Sequence, residues 1–152
     1  NTSNIALDSF YWRDTLPAQV TVNRLVTGTY NQAQNYKIVY KVNGAGAYRT
    51  LADNLSTTKN YVLDMRPAVL GLAANERVTE IMFVFGTVPA GFAQVETPVL
   101  YGTVCGGLSN GTNLVNSADV GGLYSGQWVQ AVSRWLTTVY AKMTMTLPKT
   151  GY

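Results

Sequence analysis

The sequence predicts an all-β protein, built as a β-sandwich of roughly eight to ten strands. Short runs in which β-branched and aromatic residues alternate with polar ones recur along the chain, and Gly, Asn and Pro separate them. A length of 152 residues with 47% hydrophobic content suits a single domain with one core. A helical composition is confined to one short segment.

The strand candidates in the first half of the chain have the length and spacing typical of a sandwich. They are residues 10–14, 19–30, 36–42, 48–51 and 60–65. Residues 67–74 contain better helix formers, and Pro67 suits a first helical turn. We therefore expect one short helical turn near 67–74 that bridges the two sheets.

The second half of the chain begins with its most apolar run, residues 78–85. This run is predicted to be a central strand that ends at Gly86. Further strands are predicted at 94–105, 114–120 and 128–145. No repeat or linker divides the chain, so we expect one sandwich domain over residues 1–145 and a tail over 146–152.

The tail contains a motif with an LPxTG pattern, Leu147-Pro148-Lys149-Thr150-Gly151. Pro148 removes a backbone donor and holds the segment extended, so the segment can lie in a groove. The pattern resembles the recognition signal of the sortase transpeptidases of Gram-positive bacteria. This resemblance implies that a sortase cysteine attacks the carbonyl of Thr150, that Gly151 leaves as the amine, and that peptidoglycan receives the protein.

A sorting signal is followed by an apolar span and a basic tail, so we expect the chain to be a domain excised from a longer protein. No run of residues approaches the length of a membrane span, and the first residues lack the features of a signal peptide. The expected location is outside the cell, secreted and anchored to the cell wall. Sortase and peptidoglycan are the expected partners, and no membrane contact is expected.

Two further elements resemble a family of bacterial surface domains. Residues 13–17 read R-D-T-L-P, which looks like the D-x-L-P element of DUF11-type repeat domains, and residues 113–120 look like their N-x-A-x-V strand. Together with the tail, the pattern resembles the wall-proximal domain of sortase-anchored surface proteins of Firmicutes. The resemblance implies an immunoglobulin-like β-sandwich that serves as a stalk or an adhesin.

Composition argues against several other classes of function. Eleven basic and eight acidic residues are spread along the chain and give a net charge of +3, so no nucleic-acid partner is expected. The chain has no histidine, which is the commonest general base and metal ligand. Phosphate loops, dinucleotide fingerprints and Cys/His metal spacings are absent from the sequence. We expect a non-enzymatic protein without a cofactor or a bound metal.

An intramolecular isopeptide bond is common in related surface domains. It needs a buried, neutral lysine, an asparagine that loses ammonia, and an adjacent acid. The candidates are the lysines Lys37 and Lys41, the asparagines Asn113 and Asn116, and the acids Asp14, Asp64, Glu80 and Glu96. No single triplet stands out among them. Alternation places both lysines opposite the aromatic face of their strand, which favours exposure to solvent.

A thioester is a second covalent option. Cys105 is the single cysteine, which excludes an internal disulfide, and it is expected to be buried as a small hydrophobic residue. Neighbouring glycines permit another backbone to come close. The thioester would join Cys105 to Gln127 or Gln130.

Aromatic residues suggest the alternative function, a ligand-binding adhesin module. Three Trp and ten Tyr exceed what a small core requires, and exposed rings can stack on sugars or bury contacts with a host protein. Residues 119–128 combine spaced glycines with Tyr124 and Trp128, which predicts a surface loop that carries this site. A host glycan or a host protein would be its partner.

Overall fold

The computed structural model describes residues 5–104 and 113–138, without the side chains of 113–116 and 132–138. A short helix α1, Pro67–Leu70, lies between the sixth and seventh of the strands in these residues. The strands are β1 Leu7–Thr15, β2 Val20–Val26, β3 Thr29–Tyr30, β4 Asn35–Val42, β5 Ala45–Ser56, β6 Val62–Asp64, β7 Val78–Val88, β8 Gln94–Glu96, β9 Val99–Val104, β10 Asn113–Tyr124 and β11 Gln127–Thr138.

The strands form a large sheet, a small sheet and a strand pair, and all neighbours are antiparallel. The large sheet has the order β11-β10-β1-β7-β4-β5, the small sheet is β6-β2-β9, and β3 pairs with β8. This arrangement confirms the predicted all-β sandwich. The predicted central strand is also confirmed, since β7 lies between β1 and β4. Helix α1 connects β6 of the small sheet to β7 of the large sheet, as expected.

The core lies between the small sheet and one face of the large sheet, which we call the inner face. Ile81 and Phe83 of β7 and Leu25 of β2 are fully buried and belong to one hydrophobic cluster. Near the β3–β8 pair, the ring of Tyr30 stacks on Phe92 with 5.3 Å between the ring centres. Burying a side chain of this size stabilises the fold by about 1.5–3 kcal/mol.

Two buried threonines supply hydrogen bonds where the sheets are interrupted. The hydroxyl of Thr57 donates to the carbonyl of Gln32 at 2.6 Å and accepts from the N–H of Gln34 at 2.9 Å. The hydroxyl of Thr27 accepts from the N–H of Tyr61 at 2.9 Å. Because backbone groups that are removed from water need partners, these two buried hydroxyls bind the connections after β3 and β5 to the edge of the core.

Two predicted strands, 19–30 and 94–105, are each divided in the structure, and this accounts for the higher strand number. Gly28, with a φ of +75°, separates β2 from β3, and Pro98 lies between β8 and β9. The two breaks lie against each other, because a Cβ atom at Gly28 would overlap the carbonyl oxygen of Glu96. The chain therefore changes sheets at a point where only glycine fits.

The surface loop predicted at residues 119–128 is instead a β-hairpin of β10 and β11. Only Ser125 and Gly126 form the turn, and both have positive φ values, 50° and 77°. Such two-residue turns match the twist of the flanking strands. Gly121 and Gly122, which belong to the spaced glycines of the predicted loop, lie within β10. A Cβ at Gly121 would lie 2.9 Å from the hydroxyl of Tyr11, so this glycine lets the Tyr11 ring lie across the strand.

Replacing Gly28 with alanine is expected to lower the free energy of unfolding by more than about 2 kcal/mol, because the new Cβ adds a backbone clash to the strain of a positive φ. Gly46→Ala is the matched control, since Gly46 has a φ of +78° and no atom within 4 Å of the added Cβ. Its cost should be about 1 kcal/mol. Urea denaturation measures both, and equal losses would contradict the close approach at Gly28.

Candidate functional site

The face of the large sheet that points away from the small sheet, the outer face, carries a network of four side chains. Tyr11 and Arg13 lie on β1, Asp119 lies on β10 and Gln130 lies on β11. Alternation along the strands directs all four to the same face, and the register places Arg13 opposite Asp119. We call these four residues the clasp, because they join three adjacent strands.

Asp119 is the acceptor at the centre of the clasp. Arg13 binds it in a bidentate manner, with Nε donating to Oδ1 at 2.8 Å and Nη2 donating to Oδ2 at 2.6 Å. The hydroxyl of Tyr11 and the amide of Gln130 also donate to Oδ2, at 3.0 and 2.7 Å. Bidentate pairs of this kind are the stronger class of hydrogen bond and fix the geometry of both side chains.

The clasp is held in its ionised form. The Asp119 side chain is only 10% exposed. Burial raises the pKa of this carboxyl, but hydrogen bonds from Arg13, Gln130 and Tyr11 outweigh burial and bring the pKa below its ordinary value. Burial and the adjacent carboxylate raise the pKa of Tyr11, which therefore stays a donor at neutral pH. The charges of Arg13 and Asp119 cancel.

A groove of about 480 Å³ lies beside the clasp on the outer face. A β-bulge in β1 shapes it, because the register of β1 shifts between Asp8 and Tyr11 and Ser9 has a φ of 48°. Bulges bend a strand and redirect its side chains. The groove is lined by Ser9, Tyr11, Arg13, Tyr48, Met82, Val84, Gly86 and Trp128.

Trp128 is the most exposed aromatic residue of this groove. Trp128 is 63% exposed. The plane of its ring is inclined at 67° to the ring of Tyr11, with 6.3 Å between the ring centres. On the opposite side, the hydroxyl of Tyr48 donates to Glu80 at 2.6 Å. The groove thus combines apolar rings with ordered polar groups.

A second groove lies on the solvent face of the small sheet. The guanidinium carbon of Arg24 lies 4.0 Å from the ring centre of Tyr101, a cation–π contact. Asp64 and Arg66 form an ion pair at 2.7 Å beside it. These groups are largely exposed, so the pair contributes little to stability.

The two aromatic residues predicted to form a ligand surface, Tyr124 and Trp128, lie on opposite faces of the hairpin. Trp128 pairs with Leu123, and Tyr124 pairs with Gln127. Successive residues of a strand point to opposite faces, so Tyr124, two residues after Gly122, points to the inner face as Gly122 does. Only Trp128 belongs to the outer-face groove.

The isopeptide candidates are dispersed. Lys37 and Lys41 project from the outer face, whereas Asp14 is 3% exposed and lies on the inner face. Lys41 is paired with Glu80 across β4 and β7, and its Nζ lies 4.5 Å from the ring centre of Tyr48. The structure therefore brings Glu80, and not Asp14, beside a candidate lysine.

The remaining acids lie elsewhere. Asp64 binds Arg66 on the small sheet, and Glu96 accepts from Thr29 at 3.1 Å in the β3–β8 pair. Asn113 and Asn116 belong to β10, but their side chains are outside the described residues. The asparagine of a cross-link therefore stays a prediction.

Two other groups of predicted residues lie wholly or partly outside the residues that the structure describes. Cys105 and the pentapeptide 147–151 lie outside the described residues. The proposed thioester partners, Gln127 and Gln130, lie on β11, where Gln130 is a donor in the clasp. The thioester and the sortase signal both stay predictions.

Sequence reasoning did not identify the clasp. The one sequence signal for the clasp is the alternation of the two faces along β1 and β10, which assigns outward-facing positions to Tyr11, Arg13 and Asp119. Their partnership depends on β1 lying next to β10, a pairing across 106 residues for Arg13 and Asp119. Trp12, on the other face of β1, packs against Phe83 with 5.0 Å between ring centres.

Within residues 5–104 and 113–138, no group of three or more Cys, Asp or Glu side chains converges in a way that would hold a metal ion. The helix in this part of the chain is too short to cross a membrane. Comparison with protein-family models, with curated proteins and with solved structures gives no match. The class that the fold defines is an all-β sandwich, and its function has to be inferred from its residues.

Asp119→Asn is expected to lower the free energy of unfolding by about 1–2 kcal/mol at neutral pH, because the charge of Arg13 loses its partner. The folded-state pKa of Asp119 is depressed. Its contribution is therefore present above the ordinary carboxyl pKa and is lost as the pH falls through the lowered folded-state value. The difference between wild type and variant should persist down to about pH 4 and vanish in stronger acid.

Urea denaturation across this pH range measures the effect. Asp64→Asn is the control, because Asp64 also pairs with an arginine but its side chain is 43% exposed against 10% for Asp119, and it should produce no measurable loss. Equal destabilisation by the two substitutions would show that the clasp has no special role.

Proposed function

We propose that this chain is a non-catalytic domain of a sortase-anchored surface protein and acts as a mechanical spacer next to the cell wall. Sortase would join Thr150 to peptidoglycan after recognising Leu147, Pro148 and Gly151. The domain would be secreted and would carry tension between the wall and whatever precedes it. The observation that carries the proposal is the LPxTG pentapeptide at residues 147–151. It follows β11 in the chain, and the position of β11 in the large sheet suits that strand to bear load.

The geometry of β1, β10 and β11 supports a load-bearing role. Both β1 and β11 are antiparallel to β10, so they run in the same direction on either side of it. The start of β1, Leu7, therefore lies at one end of the sheet, and the end of β11, Thr138, lies at the other. Opposite pulls at these ends load the backbone hydrogen bonds in shear, so many bonds resist together.

The clasp supports the same role. Its hydrogen bonds join β1 to β10 and β10 to β11 through Asp119, in addition to the backbone ladders. Side chains that bind across strands add resistance to sliding of one strand past the next. The clasp thus lies on the path that tension would take through the domain.

Sortase transfer tests the anchoring step. Incubating the chain with a housekeeping sortase and triglycine should release the Gly151-Tyr152 dipeptide and join the new amine to the Thr150 carbonyl, which is detected as a defined change in intact mass. Pro148→Ala should abolish transfer, because the extended conformation is lost. Lys149→Ala should leave it intact, since that position of the motif is variable. An unchanged wild-type mass would refute the anchoring proposal.

Single-molecule pulling tests the spacer role. Force applied through the two chain termini should unfold the sandwich at a higher force than handles attached at residues 113 and 138, which are paired at the same end of the sheet. The second geometry opens the β10–β11 hydrogen bonds one after another. Equal forces in the two geometries would contradict the proposal of a shear-loaded domain.

A further inference from the structure

We propose that the outer-face groove is a binding site for a neutral glycan, with Trp128 as the stacking platform. This inference goes beyond the spacer role and does not depend on sortase anchoring. The site consists of Trp128 and Tyr11 on one side, Val84 on the floor, and Ser9 and Arg13 at the polar edge.

The aromatic part of the site suits the apolar face of a sugar ring. Trp128 is 63% exposed although it is the largest apolar side chain type, so most of its surface is available. Its angle of 67° to Tyr11 is an edge contact, which leaves the indole uncovered by a stacked ring. The electron-rich face of an indole attracts the C–H groups of a pyranose ring.

The polar part of the site suits hydroxyl groups and disfavours charged ligands. Arg13 is the only ionisable cation in the groove lining, and Asp119 neutralises it at 2.6 Å. A phosphate, sulfate or carboxylate group would therefore meet no unbalanced positive charge at Arg13. Two lysines lie near the groove but outside its lining: Lys41, against Tyr48, is paired across β4 and β7 with Glu80, and Lys37 lies on β4 opposite Val84. Sugar hydroxyls are both donors and acceptors, and they can bond to the guanidinium edge and to the hydroxyl of Ser9 without a change of charge.

The groove is preformed in the sheet. Its volume of about 480 Å³ lies within the range of small-molecule sites, ~300–1,000 Å³. Arg13 and Tyr11 are fixed by their bonds to Asp119, and the positive φ of Ser9 is held by the bulge. Backbone strain of this kind persists where the surrounding structure determines it, and it is common at binding sites. A ligand would meet ordered side chains and lose little affinity to ordering them.

A proline-rich peptide is the competing occupant of an aromatic groove. Such peptides bind between parallel ring faces that grip successive prolines. Tyr11 and Trp128 are instead inclined to each other, so they present a single open indole face and no slot. The geometry favours a flat ring over a polyproline ridge.

Titration of the full chain with neutral hexasaccharides tests the proposal. The probes are cellohexaose, maltohexaose, xylohexaose and mannohexaose, with a heparin hexasaccharide and a proline-rich decapeptide as alternatives. At least one neutral probe should bind with a Kd at or below about 1 mM, measured by calorimetry and by tryptophan fluorescence. Failure of all four neutral probes would overturn the proposal, and so would preferential binding of heparin or of the peptide.

Substitutions at the two exposed hairpin aromatics locate the site. Trp128→Ala should weaken binding of the neutral probe by about tenfold or more, as loss of a stacking ring does. Trp128→Phe should retain part of the affinity, and Tyr124→Ala should leave it unchanged because Tyr124 points to the other face. Circular dichroism and urea denaturation establish that the variants remain folded. Unaltered binding by Trp128→Ala would place the ligand elsewhere and refute the assignment.

Discussion

The placement of β1 between β7 and β10 is the constraint on which the rest of the structure depends. It joins the beginning of the described chain to its last hairpin, and it sets the register that brings Arg13 opposite Asp119. Its inner face contributes Phe10 to the core, and its outer face contributes Tyr11 to the clasp. One strand thus supplies both the hydrophobic contacts and the polar network, because its residues alternate between the two faces.

Local pattern was sufficient to predict the fold class, the central position of β7 and the helical turn at Pro67. Each of these follows from residue types within a short window. The division of two predicted strands at Gly28 and Pro98 was missed. The two breaks lie against each other in the structure, but they are about 70 residues apart in the chain, so no short window shows the contact. The hairpin turn at Ser125 and Gly126 was also missed, because the glycines inside β10 favoured a loop over the wider range 119–128. Gly121 is explained by the ring of Tyr11, and Gly122 by the close approach of Leu7 and Asp8. These contacts come from β1, which no local window around the glycines contains.

The functional surface was less accessible to prediction than the fold. The D-x-L-P and N-x-A-x-V elements lie side by side, since Asp14 is paired with Ala118 across β1 and β10. This neighbourhood gives both elements a structural role at the centre of the large sheet. The groove could not be foreseen, because a bulge at Ser9 creates it and because it gathers side chains from four strands. Trp128 is the one residue of the predicted ligand surface that lines the groove, and the other lining residues come from β1, β5 and β7 and not from its own hairpin.

The pairing of β1 with β10 has a consequence for the order in which the large sheet can form as the chain is synthesised from its amino end. Residues 7–15 find their partners on one side only after residue 123 has emerged. The large sheet is therefore completed late, after all of the strands from β2 to β9 have been synthesised. Until then one edge of β1 has no partner strand, and this long-range pairing is expected to be a slow step of folding.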